Sequence, residues 1–448
     1  MKPFHLLSLL LATCSLSLAA DGRPNIVLIM ADDMGYETVN ANGGKTKDGT
    51  SYDTPHLDAL AASGARLTRC HSQPICTPTR VQLMTGLYNS RNYIRFGQLD
   101  PGAKTFAHYF KDKGYATMIA GKWQLDGDSK IPRHFGFDKW CLWQITARPS
   151  RHWGPGLEIN GAPNTFPDDN FGPDIATSFL CKNIALQTRD HPDQPFLAYY
   201  PMILPHDPFV STPLNADQAK DKRKASTTKF PDFIHFTDHL VGRIVAQLEE
   251  SGIRDNTLVI FLGDNGTHRS VTSTFGGNPY QGGKGTTKIN GTHVPGMVSW
   301  PNRIKPGQTS DALVDFSDIF PTLAEAANHP LPADHLTDGL SFLPALTGTG
   351  PAPRQWSYVY YERNGVRARA SQYTHNHRYK LYSDGRFFDL QNDPREKKPL
   401  PGTTGNVHAT LKAALEKHSK IAADSDPKIL SLQQKIPKPT YNKKPNFN

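Results

Sequence analysis

The run Pro24-Asn25-Ile26-Val27-Leu28-Ile29-Met30 is apolar at every position past Asn25 and stops abruptly at Ala31-Asp32-Asp33-Met34-Gly35. Asn256-Thr257-Leu258-Val259-Ile260-Phe261-Leu262 repeats the pattern and stops at Gly263-Asp264-Asn265-Gly266. A strand without polar alternation must be covered on both faces, as in a parallel sheet. Parallel neighbours need long crossover connections, usually helices, so the chain is constrained to an α/β layer structure. In such sheets ligands sit beyond the strands' carboxyl ends. Two further apolar runs fit the same frame. Residues 115–120 lead to Gly121-Lys122-Trp123-Gln124, and residues 196–200 lead to Pro205-His206-Asp207-Pro208.

Helical spacing is expected over residues 54–66, 103–114, 174–187, 233–251 and 315–327. The fourth is the clearest, with Leu240, Ile244, Val245 and Leu248 on one face and Gly252 as its cap. Residues 126–172 read as a long loop rich in aromatic and basic side chains, among them Trp140, Trp143, Arg148, Arg151, His152 and Trp153. Such a patch either lines a binding cleft or simply packs its own loop. A Gly-rich stretch carries Lys284, and residues 294–300 form another strand candidate. After the Pro/Gly-rich residues 346–354 the pattern changes to short alternating strands, with Asp384-Gly385 as a hairpin turn. A terminal helix is expected at 412–420, followed by a loosely held tail from about 428.

Ile75-Cys76-Thr77-Pro78-Thr79-Arg80 opens a helical segment. Proline is tolerated in a helix's first turn, where its missing N–H would have had no partner. Cys76 then sits at a helix N-terminus, where free N–H groups favour an anion, with Arg80 one turn on. Alone, this fragment is equally an ordinary buried cysteine.

The 448 residues carry 37% apolar side chains and a formal charge of +9. No RNP, zinc-finger or helix-turn-helix pattern accompanies the basic charge, so an acidic small substrate is favoured over nucleic acid. Residues 1–20 read as a signal peptide, with Lys2, an apolar run and small residues before position 21. Thr13 is a poor predecessor for a lipidated Cys14, and no later stretch is long and apolar enough to span a membrane. Export to the periplasm or exterior is expected. The four remaining cysteines, Cys70, Cys76, Cys141 and Cys181, are too few for a disulfide scaffold and match no zinc spacing.

Asp32, Asp33, Lys122, His206, Asp264 and Asn265 thus all follow apolar runs. Three carboxylates and an amide oxygen form a hard donor set suited to Ca²⁺ or Mg²⁺. Lys122, Lys284, Arg80 and His206 supply donors for an oxyanion. With Cys76-Thr77-Pro78-Thr79-Arg80 and Gly282-Gly283-Lys284-Gly285 added in this order, the chain resembles the formylglycine-dependent sulfatase family of the alkaline-phosphatase-like superfamily. Residues 379–400 resemble the closing hairpin of that family's small C-terminal subdomain. The resemblance implies a large, mostly parallel mixed sheet sandwiched by helices over residues 21–350. It also implies a small α+β subdomain with an antiparallel sheet over 351–448.

It further implies that Cys76 is a precursor, oxidised to formylglycine by a formylglycine-generating or radical sulfatase-maturing enzyme. One Ca²⁺ would be held by Asp32, Asp33, Asp264, Asn265 and the modified Cys76. Asp264 would act as base, Arg80 and Lys122 would hold the formylglycine, Lys284 would meet the sulfate, and His206 would stand by the leaving oxygen. The expected substrate is a sulfated sugar, with Trp143, Arg148, Arg151, His152, His268 and Arg269 as its contacts. Two positions depart from the family pattern. Gln124 stands where histidine is usual, and glutamine holds a hydrogen bond but accepts no proton at neutral pH. Thr79 replaces serine and keeps the hydroxyl. Two alternatives remain: a phosphate-ester or phosphonate hydrolase of the same fold, and a sulfated-glycan-binding protein on a decayed enzyme fold.

Overall fold

A computed structural model of the chain describes residues 22–401 and 405–439, so the expected leader lies outside the described residues. The strands follow in chain order as β1 (Asn25–Ala31), β2 (Ala65–His71), β3 (Ala116–Lys122), β4 (Lys139–Trp143), β5 (Gly156–Ile159), β6 (Ala162–Thr165), β7 (Phe196–Pro201) and β8 (Thr257–Gly263). They continue as β9 (Thr272–Phe275), β10 (Asn278–Gln281), β11 (Gly296–Ser299), β12 (Gln308–Asp315), β13 (Ser357–Tyr361), β14 (Ser371–His375), β15 (Tyr379–Tyr382) and β16 (Phe387–Asp389).

Ten strands form one mixed sheet in the order β12-β2-β11-β8-β1-β7-β3-β4-β5-β6. The central neighbours β8, β1, β7, β3 and β4 are mutually parallel, so their carboxyl ends share one edge. β11 runs antiparallel to both β8 and β2, which restores β2 to the common direction. β1 shows why its run carries no polar alternation. Ile26, Leu28 and Met30 enter the layer holding Val81, Phe106 and Phe320, from the helices Cys76–Thr85, Phe106–Asp112 and Ile319–Ala326. Val27, Ile29 and Ala31 enter the opposite layer with Leu57, Leu180 and Leu240, from the helices Pro55–Ala62, Gly172–Asp190 and Phe230–Glu250. Each such aliphatic side chain contributes about 1.5–3 kcal/mol by leaving water.

Several local expectations are corrected. The first helix ends at Ala62, and Ala65 and Arg66, expected at its end, instead open β2. Ala65 and Leu67 of β2 are buried while Arg69 is exposed, so its signal is a mixed one. Residues 126–172 are not one long loop but contain β4, β5 and β6, and Trp140 and Trp143 are buried on β4. Residues 308–315 are β12, so the helix expected from 315 begins at Ile319, after Asp315 has accepted from Ser317 N.

β13, β14, β15 and β16 form a separate antiparallel sheet, with Gly385 (φ +88°) in the expected turn. β14 was not expected. The final helix runs Gly405–Lys435, well beyond 412–420, and continues through Pro427 where a loose tail was expected. Arg367 holds this stretch by pairing with Asp426 and donating to Ala422 O at 2.9 Å. The small sheet is tied to the large one by Arg354, whose Nε meets Asp318 Oδ2 at 2.6 Å with both side chains buried. All four cysteines among the described residues are free.

Candidate active site

The common sheet edge gathers the strand-end residues. Asp32 and Asp33 follow β1, Lys122 ends β3 with Gln124 just beyond, His206 lies beyond β7, and Asp264 and Asn265 follow β8. Cys76 is the first residue of the helix after β2, and Gly86 (φ +68°) closes that helix. Asp32, Asp33, Cys76, Arg80, Lys122, Asp264 and Asn265 are all at most 1% exposed. Sulfur of Cys76 and carboxylate oxygens of Asp32 and Asp264 lie within 4.8 Å of one another.

Charges alternate through the cluster. Lys122 Nζ sits 2.6 Å from Asp32 Oδ2, and Arg80 Nη2 sits 3.2 Å from Asp264 Oδ2. Arg80 Nη1 donates to Lys122 O at 2.8 Å, fixing both cations relative to one another. Lys284 Nζ lies 2.5 Å from Asp33 Oδ2 and 3.0 Å from His206 Nε2. Burial opposes the charge on Asp32, yet Lys122, His206 and Arg80 hold it well below the usual carboxylate range. Burial and then the neighbouring Asp32 push Asp264 far the other way. Burial raises the Cys76 thiol, against the pull of Lys122. Three buried carboxylates are thus matched by three buried or half-buried cations, Lys122, Arg80 and Lys284.

Acceptor oxygens are nevertheless left over. Asp32 Oδ1 and Asn265 Oδ1 are buried without a hydrogen-bond partner. Asn265 Nδ2 is already spent on Asp33 Oδ1 at 2.9 Å, so its oxygen is the free end. Buried acceptors beside clustered carboxylates are the donor set that a hard divalent cation satisfies.

His206 is held at Nδ1 by Asp207, through Oδ1 at 3.0 Å and the carbonyl at 2.7 Å. That places the ring proton on Nδ1 and leaves Nε2 to accept from the Lys284 ammonium. Arg151 Nη1 also approaches Nδ1 at 3.0 Å, and its guanidinium lies 4.2 Å above the Trp143 ring. Burial lowers Arg151 to about 10. Trp143 is thus a buried platform that acts through Arg151, its Nε1 being committed to Pro149 O at 3.0 Å.

The expected substrate contacts divide. Arg148 lines a cleft of about 900 Å³ together with Cys76, Gln124, Gln144, His206, Asp207 and Lys284. His268 reaches towards Asp207 Oδ1 at 3.9 Å, and Arg269 Nε donates to Lys284 O at 2.6 Å from behind. His152 is stacked on Phe171 and set edge-on to Phe233, and it lines an adjoining pocket with Trp143, Arg148 and Arg151 rather than the cleft beside Cys76.

Sequence reasoning missed several neighbours. Thr77 Oγ1 donates to Gln124 Oε1 at 3.4 Å, and Thr79 Oγ1 donates to Asp264 O at 2.7 Å. Gln144 follows β4 as the acidic pairs follow their strands, with φ +65° and a buried Oε1 that lacks a partner. An apolar run ending in a polar residue marked it, but that run was read as loop. Arg95, Phe96, Arg363 and Lys438 also line the cleft.

A mixed sheet with a buried cysteine, carboxylates and cations gathered at one edge has the architecture of the alkaline-phosphatase-like class. The sulfatase family model matches residues 24–329, and the chain belongs to the sulfatase family, whose members hydrolyse sulfate esters. The model for the C-terminal part of N-sulphoglucosamine sulphohydrolase matches residues 288–421. Arylsulfatase A of Homo sapiens is 32% identical over 389 residues, covering 79% of this chain and 73% of that protein. N-acetylgalactosamine-6-sulfatase of Mus musculus is 29% identical over 384 residues, covering 75% and 69%. The crystal structure of Ps i-CgsB shares the fold with a TM-score of 0.76 at 23% identity, covering 89% of this chain and 93% of that one.

Proposed function

We propose that this sulfatase hydrolyses sulfate monoesters on a carbohydrate, using a formylglycine made from Cys76 and one Ca²⁺. The observation that carries the reading is the convergence of Asp32 and Asp264 on Cys76, with Asp33 and His206 clustered on Asp32 and two buried acceptor oxygens left without a hydrogen-bond partner. Asp32, Asp33, Asp264, Asn265 and residue 76 would hold the ion. A bound Ca²⁺ supplies Lewis acidity, and the modified residue 76 supplies a hydroxyl nucleophile.

The chain's own residues do the rest. Arg80 keeps the Asp264 carboxylate aimed at residue 76, where it takes the attacking hydroxyl's proton. Lys122 and Arg80 hold residue 76, and Lys284 meets the sulfate oxygens and stabilises the charge that builds on them. His206 and Lys284 share a hydrogen bond and deliver a proton to the departing sugar oxygen, with Asp207 fixing the ring. Gln124 accepts from Thr77 and orients residue 76 without taking a proton.

Carbohydrate is favoured because the cleft wall is polar and basic, and because a relative is named for N-acetylgalactosamine 6-sulfate. A formylglycine-generating or radical sulfatase-maturing enzyme is the implied partner, and an exported location follows from the leader. Residues 21–350 act as the catalytic domain, with 351–448 as its C-terminal subdomain.

The test has two parts. Mass spectrometry of the Cys76 peptide after expression with a maturase should show thiol converted to aldehyde. Rates on sulfate and phosphate esters of one alcohol should then favour sulfate. Persistent thiol, or faster phosphate release, would sink the proposal.

A further inference from the structure

Part of the cleft wall comes from stretches far apart in sequence. Arg95 Nη1 donates to Ile436 O at 2.9 Å, and Gln98 Nε2 donates to Pro437 O at 2.5 Å. Gln433 Nε2 returns to Ile94 O at 2.6 Å and to Gly365 O at 2.8 Å. These bonds lock the end of the Gly405–Lys435 helix between the chain at 94–98 and the loop after β13. Lys438 is thereby fixed on the cleft wall, with Arg363 from the β13 loop and Arg148 on the same lining.

The cations of this rim differ from those on the floor. Lys122, Arg80 and Lys284 each lie against a buried carboxylate. Arg148, Arg363 and Lys438 are exposed, and among the described residues none of them makes an ion pair. The one carboxylate on the cleft lining, among the described residues, is Asp207, and it is engaged by His206 at 3.0 Å. Arg363 instead lies over the Phe96 ring at 4.8 Å. Val366, beside it, is 43% exposed on the same lining. Unpaired guanidinium and ammonium groups around an apolar surface match an anionic group carried on a ring with an apolar face.

We infer that the leaving group itself carries a second anion, a sulfate or a carboxylate, which Arg363, Lys438 and Arg148 bind while the floor takes the scissile sulfate. The inference rests on the sulfatase reading and narrows its substrate to a saccharide with two or more negative charges. Lys438 and Pro439, just after the last helix, are then part of the specificity wall.

The test uses the matured full chain with a small aryl sulfate as reporter substrate. Disaccharides with one sulfate, with two sulfates, and with one sulfate plus a carboxylate compete against it. The dianionic sugars should inhibit about tenfold more tightly than the monoanionic one, the scale of two exposed charge pairs. In the Arg363→Ala/Lys438→Ala double variant that ratio should collapse to about two, and salt well above 0.1 M, where exposed charges are screened beyond about 10 Å, should shrink it likewise. Which dianion gains more identifies sulfate or carboxylate as the recognised group. Equal inhibition by all three sugars, or a ratio that the double variant leaves unchanged, overturns the inference. Failure of the formylglycine-bearing wild type to hydrolyse the aryl sulfate overturns the underlying sulfatase reading instead.

Discussion

Arg80 Nη2 and Asp264 Oδ2 face each other at 3.2 Å with both side chains essentially removed from water. The two residues are 184 positions apart, one from the turn of a helix and the other from a strand end. An ion pair so placed has no solvent to fall back on if either partner is lost. Arg80→Leu should therefore lower unfolding free energy by about 3–5 kcal/mol and abolish turnover, whereas Arg80→Lys should recover part of the stability. Denaturant unfolding with parallel kinetics checks this, and a variant as stable as the wild type would contradict it.

Removal of divalent cation is expected to be felt in the fold as well as in catalysis. Asp32 Oδ1 and Asn265 Oδ1 have no hydrogen-bond partner within the protein. Chelation should lower the thermal midpoint, and Ca²⁺ at a hundredfold excess over its Kd should return about 2.7 kcal/mol. Asp264→Asn should lose that response. A midpoint indifferent to chelator and to added Ca²⁺ counts against the metal site.

Gln124→Ala deletes the acceptor that Thr77 Oγ1 reaches at 3.4 Å. One neutral hydrogen bond is worth about 0.5–1.5 kcal/mol, so turnover should fall roughly two- to tenfold with little change in global stability. Steady-state kinetics on one sulfate ester is sufficient. If kcat is unchanged, Gln124 has no part in orienting residue 76.

Glu37 offers a pH test away from the substrate cleft. Burial pushes its carboxyl up to about 7, with the Thr267 hydroxyl bound at 2.5 Å. The folded chain thus binds this proton more tightly than the unfolded one. The resulting stabilisation is complete below pH 4.5, the ordinary value, and is lost as pH rises towards 7. Glu37→Gln keeps the neutral form, so it should gain about 3 kcal/mol over wild type at pH 8 and nothing near pH 4. Thermal midpoints across pH decide it, and a gain that does not vary with pH would refute the account.

The sequence made legible those elements whose signal was local. β1 and β8 are apolar through and through because both faces are covered, and their terminal carboxylates stand out against that background. β2 escaped because it mixes buried Ala65, Leu67 and Cys70 with exposed Arg69. β4 escaped because its tryptophans read as surface aromatics, which hid Gln144 at its end. The length of the last helix was obscured by Pro427, which tertiary contacts from Arg367 override. Contacts such as Arg95 with Ile436, 341 positions apart, leave no local trace at all.

That last contact separates two properties along the chain. Everything that touches Cys76 from the sheet edge is complete by Lys284, whereas the wall around Lys438 awaits the final helix. In the proposed rim only Arg148 precedes Lys284, and Arg363 and Lys438 both follow it. On the proposed reading, exchanging residues 405–439 between relatives would change which anionic sugar is preferred without altering a single reacting group.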